Sequence, residues 1–269
     1  MYCTEHKIRS RLFLTLLVWI SVQTPGAHAY EKRLHPEHSL LHPMPSDPNL
    51  WNLGGTARFH DGVLNLVPSR SYVAGVAWNG IPVDYCNWEL NIAFSIQSNS
   101  WYPAEGWALF YTIEPITEVR LDPYTNTMGG PNDYVGIALI YDSHDNFFIL
   151  ESGFPRLYTI LLDGSDKYYH YHNGWYQRPY SCHYPCVNDQ CKIRFEYWNR
   201  GIWVTAMNWN GNWVDQKKFK NVVLPAGGYF SFTAFNHYYY ETVNIHEFKV
   251  EEFLDGNECF ERDGQTPKW

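Results

Sequence analysis

A run of oxygen donors, Asp142-Ser143-His144-Asp145-Asn146, follows directly on the apolar stretch Tyr134 to Tyr141. Calcium takes about six to eight oxygen ligands, mixing carboxylates, side-chain amides and backbone carbonyls. With Asp142 ending a strand, and His144 and Asn146 two and four residues on, one turn can offer two side-chain oxygens and one carbonyl. The same five residues alone also suit a polar turn.

Two other chemistries are weaker. Cys182, Cys186 and Cys191 crowd one segment beside His183, so a zinc site is conceivable. The spacing lacks a C-x-x-C pair, and a chain bound for an oxidising compartment favours disulfides; at least one local bridge is expected there. Glycoside hydrolysis needs two carboxylates flanking the bond. No E-x-D-x-E strand occurs, and Glu114, Glu118 and Asp122 lie in a Pro-bounded loop. G-x-S-x-G and H-E-x-x-H are absent too, so the sequence reads as a binding protein and not an enzyme.

The elements that must carry these residues are strands. Trp88, Leu90, Ile92, Phe94 and Ile96 alternate with Glu89, Asn91, Ala93, Ser95 and Gln97. Period two of this kind predicts a half-buried strand with one apolar and one mostly polar face. Ile193, Phe195 and Tyr197 alternate likewise, and Asn199-Arg200-Gly201 turns the chain into Ile202 to Trp209. Asp61-Gly62 joins Arg58-Phe59 to Val63–Val67. Trp107 to Thr112, Tyr134 to Tyr141, Phe147 to Leu150, Tyr158 to Leu162, Tyr229 to Phe235 and Ile245 to Phe253 complete the set. Short aromatic and β-branched runs between Gly, Pro, Asn and Asp turns, with no window of period 3.6, predict an all-β antiparallel sandwich.

Several pieces, in this order, resemble the animal L-type (legume-lectin-like) lectins, cargo receptors of the early secretory pathway that bind high-mannose glycans. They are Trp51-Asn52-Leu53-Gly54-Gly55, Val76-Ala77-Trp78-Asn79, Trp88-Glu89-Leu90, Glu105 to Thr112, Tyr134 to Asn146, Tyr169 to Gly174 and Leu224 to Phe230. The resemblance spans about residues 50 to 253 and implies a single concanavalin-like jelly-roll domain. It implies a calcium site of Asp142, His144, Asn146 and Asn173. It also implies carbohydrate contacts from Ser71, Glu105, Asn146 and His170, with Tyr238 and Tyr239 where the family has a glycine-rich sugar loop.

The departures bear on specificity. Glu105 is one methylene longer than the family's Asp, and Asn173 stands where the family has an anionic ligand, which weakens calcium. Rings at Tyr238 and Tyr239 would either close the pocket or offer stacking faces to sugar C–H groups. The family's usual disulfide partner near Phe219 is missing, so the resemblance points Cys182 toward Cys191 or Cys186.

Compartment and partners follow from the rest of the chain. Lys7, Arg9 and Arg11, the apolar stretch Leu12 to Val22 and Ala27-His28-Ala29 have the layout of a secretory signal peptide over 1–29. The apolar stretch is shorter than the ~20 residues of a membrane span, and no later stretch reaches that length. Residues 30–49, rich in His and Pro, read as an extended lead-in; 254–269 read as a polar tail tethered at most by Cys259. Of six cysteines, Cys3 falls in the signal, and the odd remainder leaves one thiol unpaired or intermolecular. The 28 acidic against 20 basic residues argue against nucleic acid. The expected partners are glycoprotein glycans, with cargo glycoproteins or a membrane-bound receptor behind them, in the ER–Golgi lumen or outside the cell. A sandwich that binds protein through Tyr238, Tyr239 and Tyr240, without glycan or calcium, is the alternative.

Overall fold

The computed structural model describes residues 30–44, 49–98, 104–122, 126–144, 155–169, 181–184, 186, 190–208 and 210–255. All regular structure among them is β. In chain order the strands are β1 (Lys32–Leu34), β2 (Trp51–Gly55), β3 (Arg58–His60), β4 (Val63–Val67), β5 (Val73–Asn79) and β6 (Trp88–Ser98). Then come β7 (Gly106–Thr112), β8 (Asn126–Thr127), β9 (Gly130–Pro131), β10 (Val135–Asp142), β11 (Arg156–Asp163) and β12 (Ser181–His183). The last five are β13 (Gln190–Trp198), β14 (Gly201–Met207), β15 (Trp213–Phe219), β16 (Tyr229–Asn236) and β17 (Glu241–Phe253).

Two antiparallel sheets stack as the sequence predicts. One runs β15-β14-β13-β6-β17-β4-β3, with β1 also paired to β17; the other runs β12-β11-β10-β7-β16-β5-β2. Alternation sends Trp107, Leu109 and Tyr111 of β7, and Ile137, Leu139 and Tyr141 of β10, into the core between the sheets. Trp88 meets Phe195 at 5.4 Å, Tyr111 at 5.5 Å and Phe230 at 5.6 Å, ring centre to ring centre. Burying each such Phe contributes about 1.5–3 kcal/mol, so these aromatics hold the sheets together.

The second sheet is apolar on its other face too. Ala108, Phe110, Ala138, Ile140, Tyr158, Ile160 and Leu162 form a smaller cluster there, covered by Ile116, Met128, Tyr134 and Tyr168. Period two places Asp142, last residue of β10, on this covered face, two residues beyond Ile140.

Three expectations need correction. The strand at Trp88–Ser98 is not half-exposed: Glu89, Ala93 and Ser95 are all buried. It lies in the middle of its sheet, where Lys32 reaches Glu89 at 2.6 Å and His246 reaches Ser95 at 2.8 Å. Residues 30–44 are more than a lead-in, since β1 pairs with β17 and Leu40 and Met44 enter the core. The cysteines toward which the resemblance points Cys182, namely Cys186 and Cys191, are instead bridged to each other, their Cα atoms 6.1 Å apart. That bridge brings about the expected local disulfide and removes two of the three sulfurs a zinc site would need. Cys86 is disulfide-bonded as well. The predicted strand Phe147–Leu150 lies outside the described residues.

Candidate functional site

Asp142 is fully buried at the end of β10. One carboxylate oxygen accepts from the Tyr158 hydroxyl at 3.0 Å, and the other from the His144 backbone N–H at 3.2 Å. Tyr158 in turn shares a 2.7 Å hydrogen bond with the Tyr168 hydroxyl. The carboxylate is thus aimed by a buried phenol on the next strand and by its own turn. Its other neighbour is Gly106, the register partner on β7. Gly106 has φ 113°, and a Cβ there would stand 2.0 Å from the Tyr141 carbonyl oxygen. Only glycine lets the two strands close beside Asp142.

Glu105 immediately precedes this glycine and is 5% exposed. Its backbone carbonyl accepts from the Ser143 N–H at 3.1 Å, which ties the Glu105 turn to the Asp142 turn. A third acid closes the group. Glu241, first residue of β17 and fully buried, accepts from the Ala104 N–H at 3.0 Å and lies 3.0 Å from the Ser143 hydroxyl. Burial, with Glu105 and Asp142 nearby, pushes its carboxyl up to about 8.

The amide of Asn236 fastens the remaining loops. Its Nδ2 donates to the carbonyls of Pro68, Arg70 and Glu241 at 3.0, 3.1 and 2.8 Å, and its Oδ1 accepts from the Glu241 N–H. Ser71 and Tyr238 therefore meet: the Ser71 hydroxyl donates to the Tyr238 carbonyl at 3.0 Å. Tyr239 packs on the His144 ring at 5.3 Å, and Tyr238 is 68% exposed, so its ring does not close the site. Tyr72, next to Ser71, holds φ 55°. For a bulky residue this costs roughly 1–3 kcal/mol and persists only where surrounding contacts impose it.

Ser71, Glu105, Asp142, His144, Tyr238 and Tyr239 thus come from four separate stretches to one end of the second sheet. Asn146, His170 and Asn173 lie outside the described residues. Glu241 and Asn236 were missed from the sequence. The available signal was phase: Glu241 is in step with the core-facing Val243 and Ile245.

The donor set has the chemistry of a hard cation. It is acidic and oxygen-rich, and the Asp142 oxygens, each with one hydrogen bond described above, have about four lone-pair sites in all. Among the described residues no three His, Cys, Asp or Glu side chains are clustered to hold a metal by themselves. A calcium site here therefore depends on amide and carbonyl oxygens beside Asp142.

Residues 31–259 match the model of the legume-like lectin family. The chain belongs to that family. Among its curated relatives, human VIP36-like protein is 30% identical over 182 residues, covering 64% of this chain and 51% of the relative. Human VIP36, the vesicular integral-membrane protein, is 26% identical over 232 residues, covering 83% and 63%. The chain thus spans about half to two thirds of the length of these relatives. The exoplasmic/lumenal domain of VIP36 in its Ca2+/Man3GlcNAc-bound form superposes with a TM-score of 0.77 at 23% identity, covering 88% of this chain and 98% of that one. The metal-free form of that domain gives 0.75. This legume-like lectin therefore shares its sandwich with a domain known in both calcium-bound and metal-free forms.

Proposed function

We propose that this legume-like lectin binds high-mannose N-glycans in the secretory-pathway lumen and takes part in glycoprotein transport or quality control. The convergence of Ser71, Glu105, Asp142 and the Tyr238–Tyr239 turn on one rim carries the reading: the order β10-β7-β16-β5 brings these four loops together, and their residues fill the rim with oxygen donors and aromatic rings. Asp142, the His144 carbonyl, Asn146 and Asn173 would hold calcium, which fixes the Asn146 amide for a sugar hydroxyl. Glu105 accepts from sugar hydroxyls, as does Ser71 through its remaining lone pairs, and His170 adds a further contact. No covalent step is involved. Residence in an oxidising lumen agrees with the Cys186–Cys191 bridge.

A glycan array probed with and without EDTA tests this. Calcium-dependent retention on mannose-rich glycans, lost in Asn146→Ala, is the expected result. A folded protein that retains no glycan would favour protein recognition through the exposed tyrosines instead. Release of reducing sugar from an oligosaccharide would contradict both.

A further inference from the structure

The same rim carries an aromatic shelf that the calcium reading does not use. Tyr72 and Tyr238 are 52% and 68% exposed, yet they are ordered against each other, ring centres 5.3 Å apart and edge to face. His237 packs on both rings, at 5.2 Å from Tyr72 and 4.2 Å from Tyr238, and stacks at 5.9 Å on the fully buried Phe235. The shelf is thus built outward from the core through Phe235 and His237. Its base is clamped twice, by the Tyr72 N–H donating to the His237 carbonyl at 3.0 Å and by the Ser71 hydroxyl on the Tyr238 carbonyl.

Folding gains little from holding two phenol rings in water, and Tyr72 is held there in a left-handed backbone conformation that a bulky side chain disfavours. Such strain gathers where a surface meets a ligand. Two rings are far too small for a protein interface, which takes about 800 Å² per partner. Set edge to face, they make a corner that matches one pyranose, whose axial C–H bonds meet the electron-rich face of one ring while its rim lies against the other and its hydroxyls reach the phenol oxygens.

We propose that Tyr72 and Tyr238 form a stacking subsite for a pyranose adjacent to the sugar bound at Asp142, so that the chain selects oligosaccharide over monosaccharide. The proposal rests on the lectin reading above. It commits to a second unit of the same glycan because Ser71 and Tyr239 join the shelf directly to that site.

Calorimetric titration of wild type, Tyr72→Ala, Tyr238→Ala and Tyr72→Phe with methyl mannoside and with a branched oligomannose tests it. Each alanine variant should bind oligomannose about three- to tenfold more weakly, and Tyr72→Ala should bind methyl mannoside as wild type does. Tyr72→Phe, which keeps the ring, should retain most of the oligomannose affinity. Both tyrosines are more than half exposed, so the variants keep the fold. Unchanged oligomannose affinity in both alanine variants, or an equal loss on both ligands in Tyr72→Ala, would overturn the subsite alone. A wild-type protein that binds neither ligand would overturn the lectin reading with it.

Discussion

The Ser143 hydroxyl and the Glu241 carboxyl lie 3.0 Å apart in a place that no water reaches, and Ser143 has only one hydrogen to give. The Ala104 carbonyl, 2.5 Å away, claims it. The Glu241 contact then needs a proton of its own, and a carboxyl pushed up to about 8 supplies one at neutral pH. A neutral Glu241 can donate to Ser143 while still accepting from the Ala104 N–H. It fastens the Glu105 turn to the Asp142 turn without adding a third full negative charge between them.

Glu241→Gln should therefore be nearly silent at pH 7, since an amide can donate and accept in the same places. Its thermal midpoint should stay within about 3 °C of wild type. Glu241→Ala strands the buried Ala104 N–H and removes the donor to the Ser143 oxygen, at about 2–4 kcal/mol in total, and should lower the midpoint by roughly 5–15 °C. A glutamine variant as damaged as the alanine variant would mean that Glu241 is charged in the folded protein.

Gly106→Ala tests the close approach beside Asp142. The new Cβ would stand 2.0 Å from the Tyr141 carbonyl oxygen, and φ 113° disfavours any side chain. The strands must separate where β7 pairs with both β10 and β16. The expected loss is about 3 kcal/mol or more, read by chemical denaturation with an unchanged m-value. A change under about 1 kcal/mol would contradict the packing described for this strand pair.

The outer face of the other sheet gives a pH prediction. Glu196 and Glu89 are register partners on β13 and β6. Burial raises Glu89, but hydrogen bonds from Lys32 and Asn91 outweigh it and hold that carboxyl below its ordinary value. Glu196 is pushed up to about 7 by burial and by the hydrogen bond it shares with Glu89. Glu89 keeps the charge and Glu196 the proton. The folded chain thus retains a proton that the unfolded chain releases near 4.5. The Glu196 contribution is complete below that pH and is lost as pH rises through 7. Glu196→Gln should consequently raise the thermal midpoint at pH 8 by about 2–5 °C relative to wild type, and by less at pH 5. A difference independent of pH would contradict the shared proton.

Much of the sandwich was legible because its central strands advertise themselves. In β13 the burial alternates as the residues do, and the Asp61-Gly62 and Asn199-Arg200-Gly201 turns join the strands they were expected to join. Two edge strands were not legible. β1, Lys-Arg-Leu, has all three side chains exposed, and β15 reads Trp-Val-Asp-Gln-Lys-Lys-Phe; edge strands filled with charge carry no apolar period. The polar run at Asp142 could be read as a turn of oxygen donors, and its end-of-strand placement is what the fold provides. Glu241 and Asn236 stayed hidden for the opposite reason. A carboxylate and an amide flanking a turn with three tyrosines look solvated, and only the packing of four loops around them makes them buried ties. Gly106 was visible as part of a motif, while its φ, the reason for it, belongs to the folded backbone.

Asp142 is the residue on which the account depends most, and calorimetry of branched oligomannose binding to wild type and Asp142→Asn, each with excess calcium and then with EDTA, tests it directly. Asparagine keeps the size and one acceptor oxygen, for the Tyr158 hydroxyl, but gives up the acceptor for the His144 N–H, so each titration is paired with a thermal midpoint that reports folding. Wild type should bind oligomannose in calcium and lose at least about tenfold in affinity, some 1.4 kcal/mol, in EDTA, whereas Asp142→Asn should bind weakly in both. Equal oligomannose affinity in all four titrations would contradict a calcium-dependent glycan site at the end of β10.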